Sequence, residues 1–201
     1  MNRSFVHFVG LAVLATVLVS MTGCGPASPP VTYHSLLGSD LSPQTAAKSS
    51  RLAILIGPVS VPDVLKSSQI ATGSAGEHYQ RSDQHRWAGE LDRDFARAIG
   101  EQLATRLGTE QVALYPMGQH LEPTWQVVLD ILALEGLPGR EAKLVVRWSL
   151  VDPKNKTTKL TRRSGFSEQP AGSGYDAWVA AQRRNIDRLG EEIAAAITTN
   201  P

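Results

Sequence analysis

Few side chains in this 201-residue sequence have the type and spacing needed for covalent, proton-transfer or metal chemistry. A serine nucleophile is activated on a strand-to-helix elbow of the G-x-S-x-G kind. The nearest match, "GSAG" at Gly73 to Gly76, lies in a predicted connection between two short strands. There is no Walker A loop and no G-x-G-x-x-G following a strand, so nucleotide binding by those devices is excluded. Any ATP hydrolysis would belong to a partner. His78, Asp83 and His85 offer the nitrogen and oxygen donors that zinc takes at about 2 Å, but their spacing fits no established zinc pattern, and no metal site is expected. No nucleophile can be paired with a base, which weighs against an envelope hydrolase and against an enzyme in general. His85-Arg86-Trp87 remains as a cluster with two readings. Trp87 either anchors the start of the following helix against a sheet, with Arg86 solvated, or the trio contacts a partner, since interfaces favour Trp and Arg anchors.

The one cysteine, Cys24, stands where an apolar run gives way to Gly, Pro and Ser. Arg3 opens a short positive region, and Phe5 to Val19 is almost uninterruptedly apolar, close to the lower length limit for crossing a bilayer. No Lys or Arg follows that run, as would be usual for a retained anchor. Met21-Thr22-Gly23-Cys24 instead resembles a bacterial lipobox, in which small residues admit the backbone to the signal peptidase and the thiol accepts a diacylglyceryl group. The expected cleavage falls between Gly23 and Cys24, and the only group the chain should carry is that covalent lipid, with no other cofactor. An ordinary secretory peptide or an uncleaved anchor with an incidental cysteine is the alternative.

Residues 1–23 carry Arg3 and no acidic side chain, so cleavage reduces the 20 basic residues to 19, against 19 acidic ones. A formally neutral chain lacks the basic face that nucleic acid requires and has no polybasic patch for a membrane. With no second cysteine there is no internal disulfide, so stability must come from a packed core. The organisation expected is a leader over 1–23, a lipidated cysteine and Pro/Ser tether over 24–31, and one domain over 32–201.

Within that domain, Tyr33 to Leu37 is a short strand candidate and Gly38 to Ser50 is loop-like. "LAILIGPVSVPDVL", Leu52 to Leu65, is a strand-like run interrupted by Pro58 and Pro62; proline cannot donate to a sheet ladder, which predicts an edge or a bend there. Gln69 to Thr72 and Glu77 to Gln80 suggest a small hairpin. In "GELDRDFARAIGEQLATRLG" the side chains Leu91, Phe95, Ile99, Leu103 and Leu107 share one helical face, and Gly108 is placed to end the helix. Trp125, Val127, Leu129, Ile131 and Ala133 alternate with Gln126 and Asp130. After "GLPG", Ala142, Leu144, Val146, Trp148 and Leu150 alternate with Lys143, Arg147 and Ser149. This pattern predicts an antiparallel hairpin with one buried face; Thr157 to Ser167 adds a third strand after the turn "DPKNK". A helix from Tyr175 to Ile197 closes the chain, with Ser173 and Asp176 spaced as a capping box. The sum is an α+β fold: a single domain in which two helices pack on an antiparallel meander.

In order, "LAILIGPVSVPDVL", "QIAT", "HRWAGELDRDFARAIGEQLATRLG" and "VALYP", then the meander and final helix, resemble the ABC-type transport auxiliary lipoprotein family, whose best-studied form is PqiC. The resemblance spans Tyr33 to Ile197 and is sharpest at "GPVSVPDVL" and "HRWAGELD"; "GSAGEHYQRSDQ" matches loosely. It implies a non-enzymatic lipoprotein on the periplasmic face of the outer membrane, an MCE-domain protein and an inner-membrane permease as partners, and repeated copies (a homo-oligomer) around the end of an MCE tunnel. Gly25, in place of the Asp that commonly retains lipoproteins at the inner membrane, agrees with outward sorting. Pro58 and Pro62 together with His85, Arg86 and Trp87 mark the candidate partner surface. A free-standing carrier holding lipid in an apolar pocket is the other reading, though the polar second face of the meander argues for a solvated sheet.

Overall fold

The computed structural model describes residues 29–38, 52–74, 78–117 and 120–200. The leader over 1–23, Cys24 and the tether as far as Ser28 lie outside the described residues, as do Ala75 and Gly76 of "GSAG". From Val31 the chain forms one compact unit. Its eight strands are β1 (Thr32–His34), β2 (Ile54–Ser60), β3 (Gln69–Gly73), β4 (Tyr79–Trp87), β5 (Val112–Leu114), β6 (Trp125–Leu137), β7 (Glu141–Asp152) and β8 (Thr157–Glu168). The two helices among the described residues of this unit are α1 (Leu91–Leu107) and α2 (Tyr175–Thr199). They pack side by side on the sheet, α1 against β2 and β5, α2 against β6, β7 and β8. The α+β architecture expected from the sequence is therefore the one observed, and among the described residues no helix is long and apolar enough to cross a membrane.

The long strand β6 organises the sheet. One edge pairs with β7 along its length, and β7 pairs with β8, giving the meander that the alternation predicted. The other edge is shared. Its first half pairs with β2, and Gly136 near its end pairs with Gly73 of β3. The pairings β1–β4, β2–β5 and β2–β6 are parallel, so the sheet is mixed rather than wholly antiparallel. Local alternation cannot reveal this, because parallel partners lie far apart in sequence. The proline-marked break in β2 is present. Gly57–Pro58 is a cis peptide, the register against β6 shifts between Ile56 and Val59, and beyond Ile56 the strand pairs only with β6.

Trp125, Val127, Leu129 and Ile131 turn inward with Ala142, Leu144, Val146, Trp148 and Leu150. Ala133 departs from the expected phase. A register shift between Ile131 and Ala133 makes Leu132 the extra residue of a bulge, so Leu134 becomes the core side chain. One inserted residue reverses every later side chain. On the opposite face Asp130 pairs with Arg147 at 3.5 Å and Lys143 is exposed, so that side of the meander meets solvent.

Helix α1 buries Leu91, Phe95, Ile99 and Leu103 as its periodicity requires, and Gly108 caps it in the left-handed conformation at φ 62°. Helix α2 buries Trp178, Val179, Ile186, Leu189, Ile193 and Ile197. It also carries two buried amides into the core. Gln182 Nε2 donates to the Glu135 carbonyl at 3.0 Å, and Asn185 Nδ2 donates to the Ala142 carbonyl at 2.9 Å, holding the helix over β6 and β7. The helices approach closely at Gly190, where a Cβ would lie 2.7 Å from Gln102 Cβ. The expected capping box is absent. Gly174 occupies the N-cap and makes no side-chain cap bond, and the Asp176 carboxylate turns to His34 at 3.3 Å instead.

Candidate partner-docking groove

The tripeptide His85-Arg86-Trp87 is strand, not helix start: β4 runs through all three and α1 begins only at Leu91. Between Ala71↔Arg81 and Gln69↔Arg86 the strand accommodates extra residues. Ser82, buried inside this bulge, accepts the His85 backbone N–H on its Oγ at 3.1 Å. Such a bulge re-aims the side chains that follow it. His85 and Trp87 are thereby set beside β1, opposite Thr32 and His34 respectively.

Trp87 is 3% exposed and sits in the hydrophobic core, its ring centroid 6.5 Å from that of Trp178 on α2. A side chain so buried offers a partner little surface, and its ring packs against that of Trp178 on α2. Arg86 is half-buried and its Nε finds no hydrogen-bond partner. His85 is half-buried, stacked on Tyr175 at 4.2 Å and hydrogen-bonded through Nδ1 to His34 Nε2 at 3.0 Å.

The chain after the β2 break and the chain after β4 line one groove of about 720 Å³, which includes Val59, Val61, Lys66, Trp87, Glu90 and Asp92. Two segments far apart in sequence and singled out separately, "GPVSVP" and "HRWAGELD", thus meet. Trp87 belongs to its floor. Pro58 lies just outside, lining a smaller neighbouring groove of about 260 Å³ with Tyr115, Pro116 and Met117. Tyr115 and Met117 are 55% and 68% exposed. Pro62 is half-buried and precedes a 3-10 turn at Asp63–Leu65. Both grooves are open and carry charged residues on their rims, a form suited to side chains of another protein rather than to an acyl chain.

Residues not singled out by sequence hold the segment after β1 against the two helices. Asp94, on the buried side of α1, accepts Ser35 Oγ–H at 2.8 Å and Leu36 N–H at 2.5 Å. Arg183 of α2 donates two bonds to the Ser35 carbonyl, at 3.0 and 2.6 Å. Burial pushes the His34 imidazole below its ordinary pKa; the Asp176 carboxylate opposes that shift, while His85 and Arg183 add to it. A carboxylate at position 94, one residue from Phe95 on a helix face otherwise apolar, was the one sequence signal for this attachment. His78, Asp83 and His85 do not form a donor set: among the described residues no three His, Cys, Asp or Glu side chains converge to hold a metal. Asp83 accepts from Gln69 Nε2 at 3.4 Å.

Comparison with known proteins follows the same lines. No curated protein matches the chain. Two crystal structures share the fold. One, of an uncharacterized protein, superposes with a TM-score of 0.66 at 16% identity, covering 84% of this chain and 99% of the other. The second, protein XCC0632 from Xanthomonas campestris, gives a TM-score of 0.62 at 13% identity, covering 81% of this chain and 92% of the other. At such identities they establish the architecture alone. The sequence itself matches the family described as ABC-type transport auxiliary lipoprotein component over residues 35–194. That match takes in β2 through most of α2 and both walls of the groove, and the chain belongs to the ABC-type transport auxiliary lipoprotein family.

Proposed function

We propose that this chain is a non-enzymatic auxiliary subunit of an MCE-type intermembrane lipid transport system, anchored through lipid on Cys24 at the periplasmic face of the outer membrane. The observation that carries the reading is the family match over residues 35–194 downstream of Met21-Thr22-Gly23-Cys24. An anchor of several acyl chains is needed because each buried CH₂ contributes about 0.8 kcal/mol and one chain binds only marginally. The neutral charge after cleavage gives the chain no electrostatic hold on the bilayer. The tether between Cys24 and Val31 reaches about 23 Å at most, at about 3.3 Å per residue, which keeps the domain at the membrane surface. Its task there is docking: the groove between "GPVSVP" and "HRWAGELD" receives the MCE-domain protein, with Trp87 among its lining residues and Arg86 and His85 on the adjoining strand. Several copies surround the end of the MCE tunnel, and an inner-membrane permease completes the system.

Mass spectrometry of the N-terminal peptide, with membrane fractionation of the native protein and of Cys24→Ala, tests the anchor. The expected result is a diacylglyceryl-modified Cys24 in the outer membrane and a soluble or unprocessed Cys24→Ala protein. Processed Cys24→Ala protein in the outer membrane would overturn it. A free-standing lipid carrier would instead release stoichiometric phospholipid on solvent extraction; the docking reading expects none.

A further inference from the structure

The histidine pair His34–His85 joins the N-terminal strand to the rest of the domain. β1 is only three residues long and pairs with β4 through Thr32↔His85, Tyr33↔Arg86 and His34↔Trp87. His34 is 6% exposed. Its Nδ1 lies 3.3 Å from Asp176 Oδ1 on α2, and its Nε2 lies 3.0 Å from His85 Nδ1 on β4. The ring of His85 is stacked on Tyr175, the first residue of α2, with an interplanar angle of 19°. The His34 carbonyl accepts the Ala88 N–H at 2.8 Å. One imidazole thus bridges three elements at the point where the tether becomes the domain.

We propose that His34 and His85 form a proton-operated latch that holds β1 against β4 and α2 and opens in acid. In the neutral pair, His34 Nδ1–H points to the Asp176 carboxylate, and His34 Nε2 accepts the Nδ1–H of His85. A first proton taken from solvent goes to the outer nitrogen, His85 Nε2, and His85 Nδ1–H still donates to His34 Nε2, so the latch persists. A second proton leaves N–H groups on both facing nitrogens. No acceptor then lies between them, and two cations meet across 3.0 Å.

The charged groups around the pair decide how that state fares. On α2, the Asp176 carboxylate faces His34, and its side chain is 91% exposed, where water screens it. Arg183, also on α2, adds positive charge next to His34. On α1, Asp94 is committed to Ser35 and Leu36. Burial of His34 further disfavours charge at its ring. The contact fails once both facing nitrogens carry protons.

Opening frees Thr32 to His34 while Ser35 and Leu36 stay held by Arg183 and Asp94. Three freed residues add about 10 Å to the tether. This consequence rests on the Cys24 anchor proposed above. The latch itself belongs to the domain and is tested whether or not Cys24 is lipidated.

The test is hydrogen–deuterium exchange of the full chain in detergent from pH 7.5 to about 4.5, corrected for intrinsic rates, with an NMR titration of the histidine rings. Peptides covering Val31 to Leu37 and Ala88 should lose protection at least about ten-fold, while β6 and β7 keep theirs, with a midpoint at the second proton uptake of the pair. His85→Asn keeps a polar group near the Nδ1 position without a titrating charge and should hold protection across the range. Protection independent of pH in the native protein would overturn the latch, as would loss at the same midpoint in His85→Asn. Should His85→Asn leave β1 unprotected throughout, the native midpoints decide: coincidence with the second step upholds the latch, and coincidence with neither step overturns it.

Discussion

Replacing Trp87 with alanine separates packing from docking at the groove. Its ring belongs to a side chain that is 3% exposed and of a size that buries roughly 150–250 Å². At about 25 cal/mol per Å² this burial is worth some 4–6 kcal/mol as an upper bound. Partial collapse of the site lowers the expected loss to about 3–5 kcal/mol, the usual cost of truncating a core aromatic. The tilted contact with Trp178 is part of what disappears. For a domain of this size, each kcal/mol corresponds to about 2–4 °C, so the melting temperature should fall by about 6–20 °C. Arg86→Ala, by contrast, removes a half-buried guanidinium whose Nε has no partner. It should leave the melting temperature within about 2 °C and weaken co-purification with the MCE-domain protein. Differential scanning calorimetry of both variants, with pull-down yields, reads the two effects separately. A Trp87→Ala protein that melts within 2 °C of the native one would refute the assignment of Trp87 to the core.

Asp94→Ala should cost about 1–3 kcal/mol, because the buried Leu36 N–H loses its acceptor; chemical denaturation measures it, and an unchanged midpoint would contradict the role given to Asp94. Gly190→Val should destabilise by about 1–3 kcal/mol through overpacking against Gln102, despite the better helix propensity of valine over glycine; a more stable variant would show that α1 and α2 can separate freely. The His34 pKa is lowered on folding, so below about pH 6.5 the unfolded chain binds the proton more readily and stability falls with pH. His34→Gln should flatten that part of the stability–pH curve, and an unchanged slope would exclude His34 as its source.

The fold was legible where local pattern and tertiary role coincide. Trp125 to Ile131 and Ala142 to Leu150 face the core because period two is enforced by the pleat, and Leu91 to Leu103 do so at helical period. Pattern failed at Leu132, where a bulge shifts the phase by one residue, and Ala133 gives way to Leu134. It placed β1 only approximately, as Tyr33 to Leu37 against the observed Thr32–His34, and it missed β5; the parallel partners of both are distant in sequence. Ser173 and Asp176 had the spacing of a cap, but a glycine can serve as N-cap without a side chain, and the Asp176 carboxylate is drawn to His34. Of the candidate surface, the meeting of "GPVSVP" with "HRWAGELD" was anticipated as a side of the domain. The inward turn of Trp87 was not resolvable from sequence, because it depends on the bulge held by Ser82. His34 and Arg183 gave no sequence signal, since their roles arise only when β1 is laid beside α2.

The most direct test of the docking account is purification of the chain, tagged at its C-terminus, from detergent-solubilised envelopes, with quantitative mass spectrometry of what accompanies it. The account predicts an MCE-domain protein in stoichiometric amount with several copies of the chain, and a markedly lower yield of that protein with Arg86→Ala at unchanged thermal stability. A monomeric chain recovered without any MCE-domain protein and carrying bound phospholipid would contradict it.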